Sequence, residues 1–485
     1  MAIQIQDTQT GQKREFTPIR EGEVSMYVCG PTVYDFLHIG NFRGAIFFNV
    51  VRNWFEKRGF KVTYVYNYTD IDDKIINRAN NEGVSPSEIS EKYIKEFETD
   101  YANLKLTPQT HRPRVSEHVD TIIDLIQSLV DQDKAYTLNG DVYFNVENFS
   151  EYGKLSNKNI EDLRAGHRIG VDEGKKHPAD FALWKGAKEG EPSWDSPFGP
   201  GRPGWHIECS AMSKALLGEQ IDIHGGGLDL VFPHHENEIA QSEGASGKTY
   251  VNYWMHNNML EFGNQKMSKS LGNVLTGRSF LTEYNGEILK YMMLQNHYRS
   301  TIDFSEAQIG HTIQNLARFY SALALADSLA GKGSLAPVPE SFEKMLSEAE
   351  EAIEKSMDDD FNTAEFLAHL FGVVREFNKL CRKPGKVTDA MVAVAETFSA
   401  WVRKQGLVLA LFQEPAAEFL RTLDDMLLAK KDLKRADIDQ LVQDRATARA
   451  EKNWAKADEV RDKLAEIGIL VQDSAEGSTW EVEKG

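Results

Sequence analysis

The sequence predicts an α/β fold: a parallel sheet, interrupted by an insertion and followed by a long helical region. Three observations carry this. Short β-branched and aromatic runs alternate with a long helical segment in the first third of the chain. The same rhythm returns after about residue 200, and from about Ser305 the pattern is helical almost to the end.

In chain order, Val24–Val28 is a strand, Asn41–Arg58 is a helix stopped by Gly59, and Lys61–Tyr68 is the next strand. Strand, helix and strand in close succession imply a right-handed crossover and parallel pairing. Ligands then bind beyond the carboxyl ends of the strands, just after Val28 and Tyr68. Residues from about 115 to 200 are polar and loop-rich and read as an insertion, ending in Gly199-Pro200-Gly201-Arg202-Pro203-Gly204. The sheet resumes with a helix over Trp205–Leu217, a strand at Ile221–Ile223 and another near Val251–Met255. Breaks at Gly331–Pro339 and around Gly406–Ala417 divide the helical region.

At 485 residues the chain is long enough for about three domains. Its 41% hydrophobic and 27% charged residues exclude a disordered chain. No apolar run approaches the roughly 20 residues of a membrane span, and the N-terminus lacks the pattern of a signal peptide, so the expected location is cytoplasmic. Three cysteines, Cys29, Cys209 and Cys381, fit a reducing compartment better than a disulfide framework. The net charge of −19 argues against non-specific nucleic-acid binding. A specific RNA partner then needs basic residues gathered on one face.

Two motifs carry chemistry. His38-Ile39-Gly40-Asn41 sits between a strand and a long helix, where unpaired N–H groups and the helix dipole suit phosphates. Alone, a histidine there is as well explained by a cap or a packed ring. Lys266-Met267-Ser268-Lys269-Ser270 is more specific, since one given pentapeptide arises by chance about once in ten thousand such chains. In this order, around an interrupted α/β sheet, the two motifs resemble the signature of class I aminoacyl-tRNA synthetases. That resemblance implies a Rossmann-type catalytic domain and attack of an amino-acid carboxylate on the α-phosphorus of ATP. His38, Asn41, Lys266 and Lys269 would then be catalytic, stabilising the phosphates by position and charge. Gly40, Gly227, Asp229 and Lys269 would bind ATP, with Mg²⁺ accompanying it and few dedicated protein ligands.

Further runs resemble the cysteinyl-tRNA synthetase family, bacterial type, over roughly residues 20–480. They are Cys29-Gly30-Pro31-Thr32-Val33-Tyr34-Asp35, Thr69-Asp70-Ile71-Asp72-Asp73-Lys74, Gly204-Trp205-His206-Ile207-Glu208-Cys209-Ser210, Gly225-Gly226-Gly227-Leu228-Asp229-Leu230 and Pro233-His234-His235-Glu236-Asn237-Glu238. The resemblance implies one zinc ion held by Cys29, Cys209, His234 and Glu238, and a cysteine pocket lined by Thr69, Trp205 and His224. Read from the residues alone, Cys29 and Cys209, 180 residues apart, are as well explained by packing. His235 is a rival ligand beside His234, and Cys381 is packing. Zinc would select the substrate thiolate over serine's hydroxyl, which a shape-based pocket separates poorly.

At the far end, Lys430, Lys431, Lys434 and Arg435 cluster, and further basic residues follow around Trp454. On composition this is an ordinary charged hairpin. The family resemblance places anticodon readers at Arg449, Trp454, Asp458 and Asp473, and likens Met357–Ala364 to its helical anticodon-side domain. The expected division is a catalytic domain over 1–300 with the insertion at about 115–200, a helical bundle over 301–405 and an anticodon-recognition domain over 418–485. The expected activity is ATP-dependent activation of L-cysteine and transfer to tRNA(Cys), by a monomer. Two alternatives are a cysteine ligase acting on an amino sugar and a non-catalytic, synthetase-like RNA-binding protein.

Overall fold

The computed structural model describes residues 2–160, 174–262, 265–266, 275–333, 336–382, 385–474 and 477–484. The sheet forms where the sequence places it. Strand β1 (Glu23–Val28) leads into α1 (Ile39–Lys57) and on to β2 (Lys61–Tyr66), parallel to β1 with Val24 opposite Val62. Helix α2 (Trp205–Leu217) precedes β3 (Ile221–Gly227), and α3 (Glu236–Ser246) precedes β4 (Val251–Asn257). The spatial order is β4-β3-β1-β2, all parallel. The chain therefore leaves β1 toward both edges. The crevice between the carboxyl ends of β1 and β3 is the switch point at which such sheets bind ligands.

Helix α1 lies across the sheet with Phe42, Phe47, Phe48, Trp54 and Phe55 all buried. Each such ring is worth about 1.5–3 kcal/mol of burial. Phe48 approaches β3 so closely that a Cβ on Gly225 would lie 2.2 Å from its ring, which is why that position is glycine. Trp54 also donates to Asp358 (3.0 Å).

The described part of the insertion holds more regular structure than its polar composition suggests. It contains a helix (Val119–Asp131) and a four-stranded antiparallel sheet, Ala135–Leu138, Asp141–Phe144, Phe181–Gly186 and Gly201–Pro203 in spatial order. Val142, Phe144, Leu183 and Trp184 are buried in one core with Ile207 and Met212 of α2, so a few apolar positions suffice to anchor it.

The chain divides into two compact units: Met1–Arg278 with Asn296–Ile302 and Glu354–Ala364, and Ser279–Gln295 with Asp303–Ile353 and Glu365–Gly485. The acidic turn within Met357–Ala364 thus packs with the sheet. In the second unit the helices Glu306–Leu329, Asp389–Leu409 and Ala416–Ala429 share an aromatic core, with Tyr320 stacked on Phe419 at 3.7 Å. Helices Arg435–Ala450 and Trp454–Glu466 pack on a terminal hairpin, Ile469–Ser474 with Gly477–Val482, through Ile438, Val442, Leu464 and Ile469. The hairpin departs from the helical reading of the tail, because each strand is only six residues long and the pair closely follows a charged helix. Among the described residues no helix is long and apolar enough to cross a membrane.

Candidate metal and nucleotide site

Cys29 is the first residue past β1. Its N–H donates to the Gly225 carbonyl (3.2 Å), which fixes it at the carboxyl edge of the sheet. Gly30 follows against the chain after β2. A Cβ there would sit 1.7 Å from the Asn67 carbonyl oxygen, so only glycine fits. Helix α2 brings up Cys209, the turn before α3 supplies His234 and His235, and the first turn of α3 supplies Glu238. All but Cys29 are buried.

These donors converge. The two sulfurs lie 3.7 Å apart, Cys29 Sγ is 3.5 Å from Glu238 Oε1, and His234 Nε2 is 3.2 Å from the same oxygen. A tetrahedral zinc with thiolates at about 2.3 Å and nitrogen or oxygen donors at about 2.0–2.2 Å has edges of about 3.3–3.8 Å. The tetrad Cys29, Cys209, His234 and Glu238 therefore has the size of a zinc coordination shell, its ligand atoms all within 4.8 Å of one another. A second tetrad, Cys29, His224, His235 and Glu238, meets the same limit. In it, however, His224 Nε2 is 2.8 Å from Glu238 Oε2, a direct hydrogen bond, and Tyr250 Oη donates to that oxygen at 3.3 Å. Glu238 thus turns Oε1 to the sulfurs while His224 and Tyr250 hold Oε2, the usual relation between a ligand and its support.

The electrostatics also call for a cation. Burial, then Cys209, pushes the Cys29 thiol well up, and burial pushes His234 and His235 well down. His206 and His256 are lowered to about 3, again chiefly by burial. These imidazoles are therefore neutral, and two sulfurs and a carboxyl share the space with no positive charge from them. A divalent ion relieves this, since thiolates and neutral imidazoles are the forms that bind metal. Each imidazole has an outer partner: His206 Nδ1 for His234 Nδ1 (2.9 Å) and His256 Nε2 for His235 Nδ1 (2.7 Å).

Around this cluster, Trp205 is 40% exposed with its ring 4.3 Å from that of His234. Thr69 is buried and donates to Glu208 (3.3 Å). His224 is buried within the sheet and stacked on Trp254, reaching the cluster through Glu238. Asp229 is exposed in the turn after β3, and a Cβ on Gly227 would meet its carboxylate at 2.4 Å.

His38 precedes α1 with extended backbone, and Asn41 lies in the first turn. His38 bridges to Thr276, Ile39 N–H donates to the Leu275 carbonyl (3.0 Å), and Gly277 N–H donates to the Leu37 carbonyl (2.8 Å). The other flank of the lysine motif is a strand, Gln265–Lys266, paired with Leu260–Phe262 so that Lys266 faces Glu261. The backbone on both sides of the motif is thus described, and its second flank is pinned beside His38. Lys269 itself, and the Lys266 side chain, lie outside the described residues.

The anticodon candidates fall into two groups. Asp473 accepts from Arg445 twice (2.8 and 3.0 Å), from Ser478 (2.7 Å) and from Arg449. The Arg445 bonds, first among these, hold its carboxyl well below the ordinary range. Trp454 is 59% exposed, and Asp458 pairs with Arg461 (3.0 Å). Arg445 is one of the basic residues read around Trp454, and His206 and Glu208 stand in a quoted run, but none of them was given a role from sequence, nor were Tyr250 or His256. For the imidazoles a signal existed: five of the chain's 13 histidines fall between residues 206 and 256.

Three family models match the chain. They are described as tRNA synthetases class I (C) catalytic domain over residues 15–314, DALR domain over 352–413 and Cysteinyl-tRNA ligase anticodon binding domain over 434–480. A relative from Bdellovibrio bacteriovorus named Cysteine--tRNA ligase is 55% identical, covering 99% of this chain and 100% of its own. One of the same name from Geotalea daltonii is 48% identical over the same shares. Among solved structures, Mycobacterium tuberculosis methionyl-tRNA synthetase in complex with methionyl-adenylate is similar in fold, with a TM-score of 0.60 at 13% identity. It covers 84% of this chain and 94% of its own.

Proposed function

The chain belongs to the cysteinyl-tRNA synthetase family and is a class I cysteine–tRNA ligase, and we propose how its residues divide the work. Neither the amino-sugar ligase nor the non-catalytic reading finds support among relatives aligned end to end. The observation that carries the proposal is the Cys29, Cys209, His234 and Glu238 tetrad at the switch point, with the signature helix starting after the same strand.

L-Cysteine binds with its side chain toward the tetrad. Thr69 and Trp205 line the substrate side, and His224 acts on it through Glu238. A zinc ion held by the tetrad would supply preference for a thiolate over a hydroxyl. The cysteine carboxylate attacks the α-phosphorus of ATP, forming the adenylate as the bond to pyrophosphate breaks. His38, Asn41 and the N-terminus of α1 hold the phosphates, Lys266 and Lys269 neutralise the departing pyrophosphate, and Mg²⁺ accompanies ATP. Gly40 and Gly227 leave room for the nucleotide, and Asp229 accepts from a ribose hydroxyl. A terminal ribose hydroxyl of tRNA(Cys) then attacks the cysteinyl carbonyl and AMP leaves.

At the other end, Arg449, Trp454, Asp458 and Asp473 read the anticodon, with Trp454 offering a stacking face. The division into 1–300, 301–405 and 418–485 belongs to the same proposal and is supported by the three family matches. So do a cytoplasmic location, which sparse cysteines favour, and a monomer. The test is ATP–pyrophosphate exchange with cysteine and with serine, before and after metal removal. Cysteine-dependent exchange that collapses toward the serine rate without metal supports the assignment. Undiminished preference for cysteine without metal refutes it.

A further inference from the structure

We infer that Arg43 is a positioning residue that holds the two ATP-binding motifs in register, and that the acidic turn at Asp360 anchors the segment it grips. The inference deepens the proposed function and rests on it. Arg43 lies in α1 two residues past Asn41 and is 2% exposed. Its guanidinium donates to three backbone carbonyls, Met259 (2.6 Å), Tyr298 (3.1 Å) and Ser300. Burial alone lowers its pKa, to about 10, with no carboxylate opposing that shift. A buried charge held only by neutral carbonyls is costly, and an apolar side chain would fill the space more cheaply. What arginine adds is a planar fork that fixes several acceptors at once.

Those acceptors lie at the base of the hairpin that carries the lysine motif. Met259 directly precedes the strand Leu260–Phe262, which pairs with Gln265–Lys266. Asn258 N–H donates to the Tyr298 carbonyl (2.9 Å), and Ile302 N–H donates to the Met259 carbonyl (3.3 Å). One side chain on the signature helix thus clamps both chains that enter this base.

The clamp has a second anchor. Asp360 is fully buried and accepts from Tyr298 Oη (2.7 Å), Arg299 Nε (2.9 Å) and Gln6 N–H (2.9 Å). Asp360 and Phe361 both adopt left-handed backbone, φ 63° and 54°, a conformation that non-glycine residues keep only where the surroundings enforce it. Phe361 packs beside Phe47 and Phe55 of α1, with centroids 6.4 and 5.7 Å away. The turn therefore touches the signature helix and the arginine-bound segment together. This gives a role to the Met357–Ala364 stretch that cysteine and ATP binding leave unused.

The experiment is ATP–pyrophosphate exchange by the full-length Arg43→Lys variant, with kcat and the KM values for ATP and cysteine measured separately. Lysine keeps the charge but is a point donor that cannot span three carbonyls. The expected result is a fall in kcat/KM for ATP of about tenfold or more, with the KM for cysteine and the zinc content unchanged. Amide hydrogen exchange over residues 258–262 and 298–302 rises with it. A folded variant with wild-type ATP kinetics overturns the inference, as does an equal loss in cysteine affinity and zinc. Should Arg43→Lys fail to fold, Asp360→Asn carries the test: it keeps the shape, weakens the Arg299 pair and must show the same ATP-selective defect. Wild-type ATP kinetics in Asp360→Asn overturn the inference. Absence of any exchange in the unaltered protein overturns the proposed function and this inference with it, a result distinct from a selective loss.

Discussion

Replacing Cys209 by serine separates the two overlapping donor sets, because Cys209 belongs to one tetrad and not the other. Serine keeps the size of the side chain and removes the thiolate, leaving Cys29, His234 and Glu238 in place. Four-ligand zinc sites bind with an apparent free energy of about 10–16 kcal/mol, so one ligand of four carries about 2.5–4 kcal/mol. At 25 °C that corresponds to a loss of about 10²–10³ in zinc affinity. The 3.7 Å sulfur–sulfur separation, close to a full tetrahedral edge, places Cys209 squarely in the shell and supports the upper part of that range. The assay is competition for zinc with a chromogenic chelator, alongside metal content after dialysis. His235→Ala, which alters only the other tetrad, is expected to cost less than Cys209→Ser. Unchanged zinc affinity in Cys209→Ser, together with a large loss in His235→Ala, would refute the ligand assignment and place the metal among Cys29, His224, His235 and Glu238.

Trp454→Ala removes an exposed ring (59%) and should leave the melting temperature and pyrophosphate exchange unchanged. It should raise the KM for tRNA(Cys) by about 5- to 150-fold, the worth of one stacked base, and an unchanged tRNA KM contradicts the role. Arg445→Gln removes the largest support of the Asp473 carboxyl, ahead of Ser478 and Arg449, so its pKa should climb toward the ordinary value in a carboxyl NMR titration. Because that pKa is depressed in the folded protein, the stability it contributes is present above about pH 4 and is lost as pH falls through the folded value. Arg445→Gln should therefore flatten the acid limb of the stability profile, and an identical acid limb contradicts this. Gly225→Ala would place a Cβ 2.2 Å from the Phe48 ring and should cost about 1–3 kcal/mol in denaturant unfolding, whereas a neutral effect would show that α1 yields there.

Much of the sheet was legible because its local signals agree. β-Branched runs, a glycine-terminated helix and short connections fix β1, α1 and β2 to within two or three residues. The His38–Asn41 motif could be placed at the start of α1 for the same reason, being contiguous, whereas most of Lys266–Ser270 lies outside the described residues. The metal cluster was not legible from the residues alone. Cys29 and Cys209 meet only because β1 and α2 converge at one crevice, and no local spacing records a contact across 180 residues. Choosing His234 over His235 needed the family pattern, since adjacent histidines look alike until one is seen bound to His206 and the other to His256. Nothing local in the sequence marks Arg43, because the three carbonyls that bury it arrive from more than 200 positions away. The pairing of Arg445 with Asp473 was hidden likewise, because it joins a helix to a hairpin strand 28 positions away.

The reaction expected of this chain joins cysteine to its transfer RNA, with the choice of cysteine falling to the Cys29, Cys209, His234 and Glu238 tetrad. The most direct measurement is ATP-dependent transfer of labelled cysteine onto total bacterial tRNA, with labelled serine in parallel and with zinc content recorded. The expected result is charging with cysteine, negligible charging with serine, and loss of that preference as zinc is withdrawn. A folded, zinc-loaded protein that forms cysteinyl adenylate but charges no tRNA would contradict it.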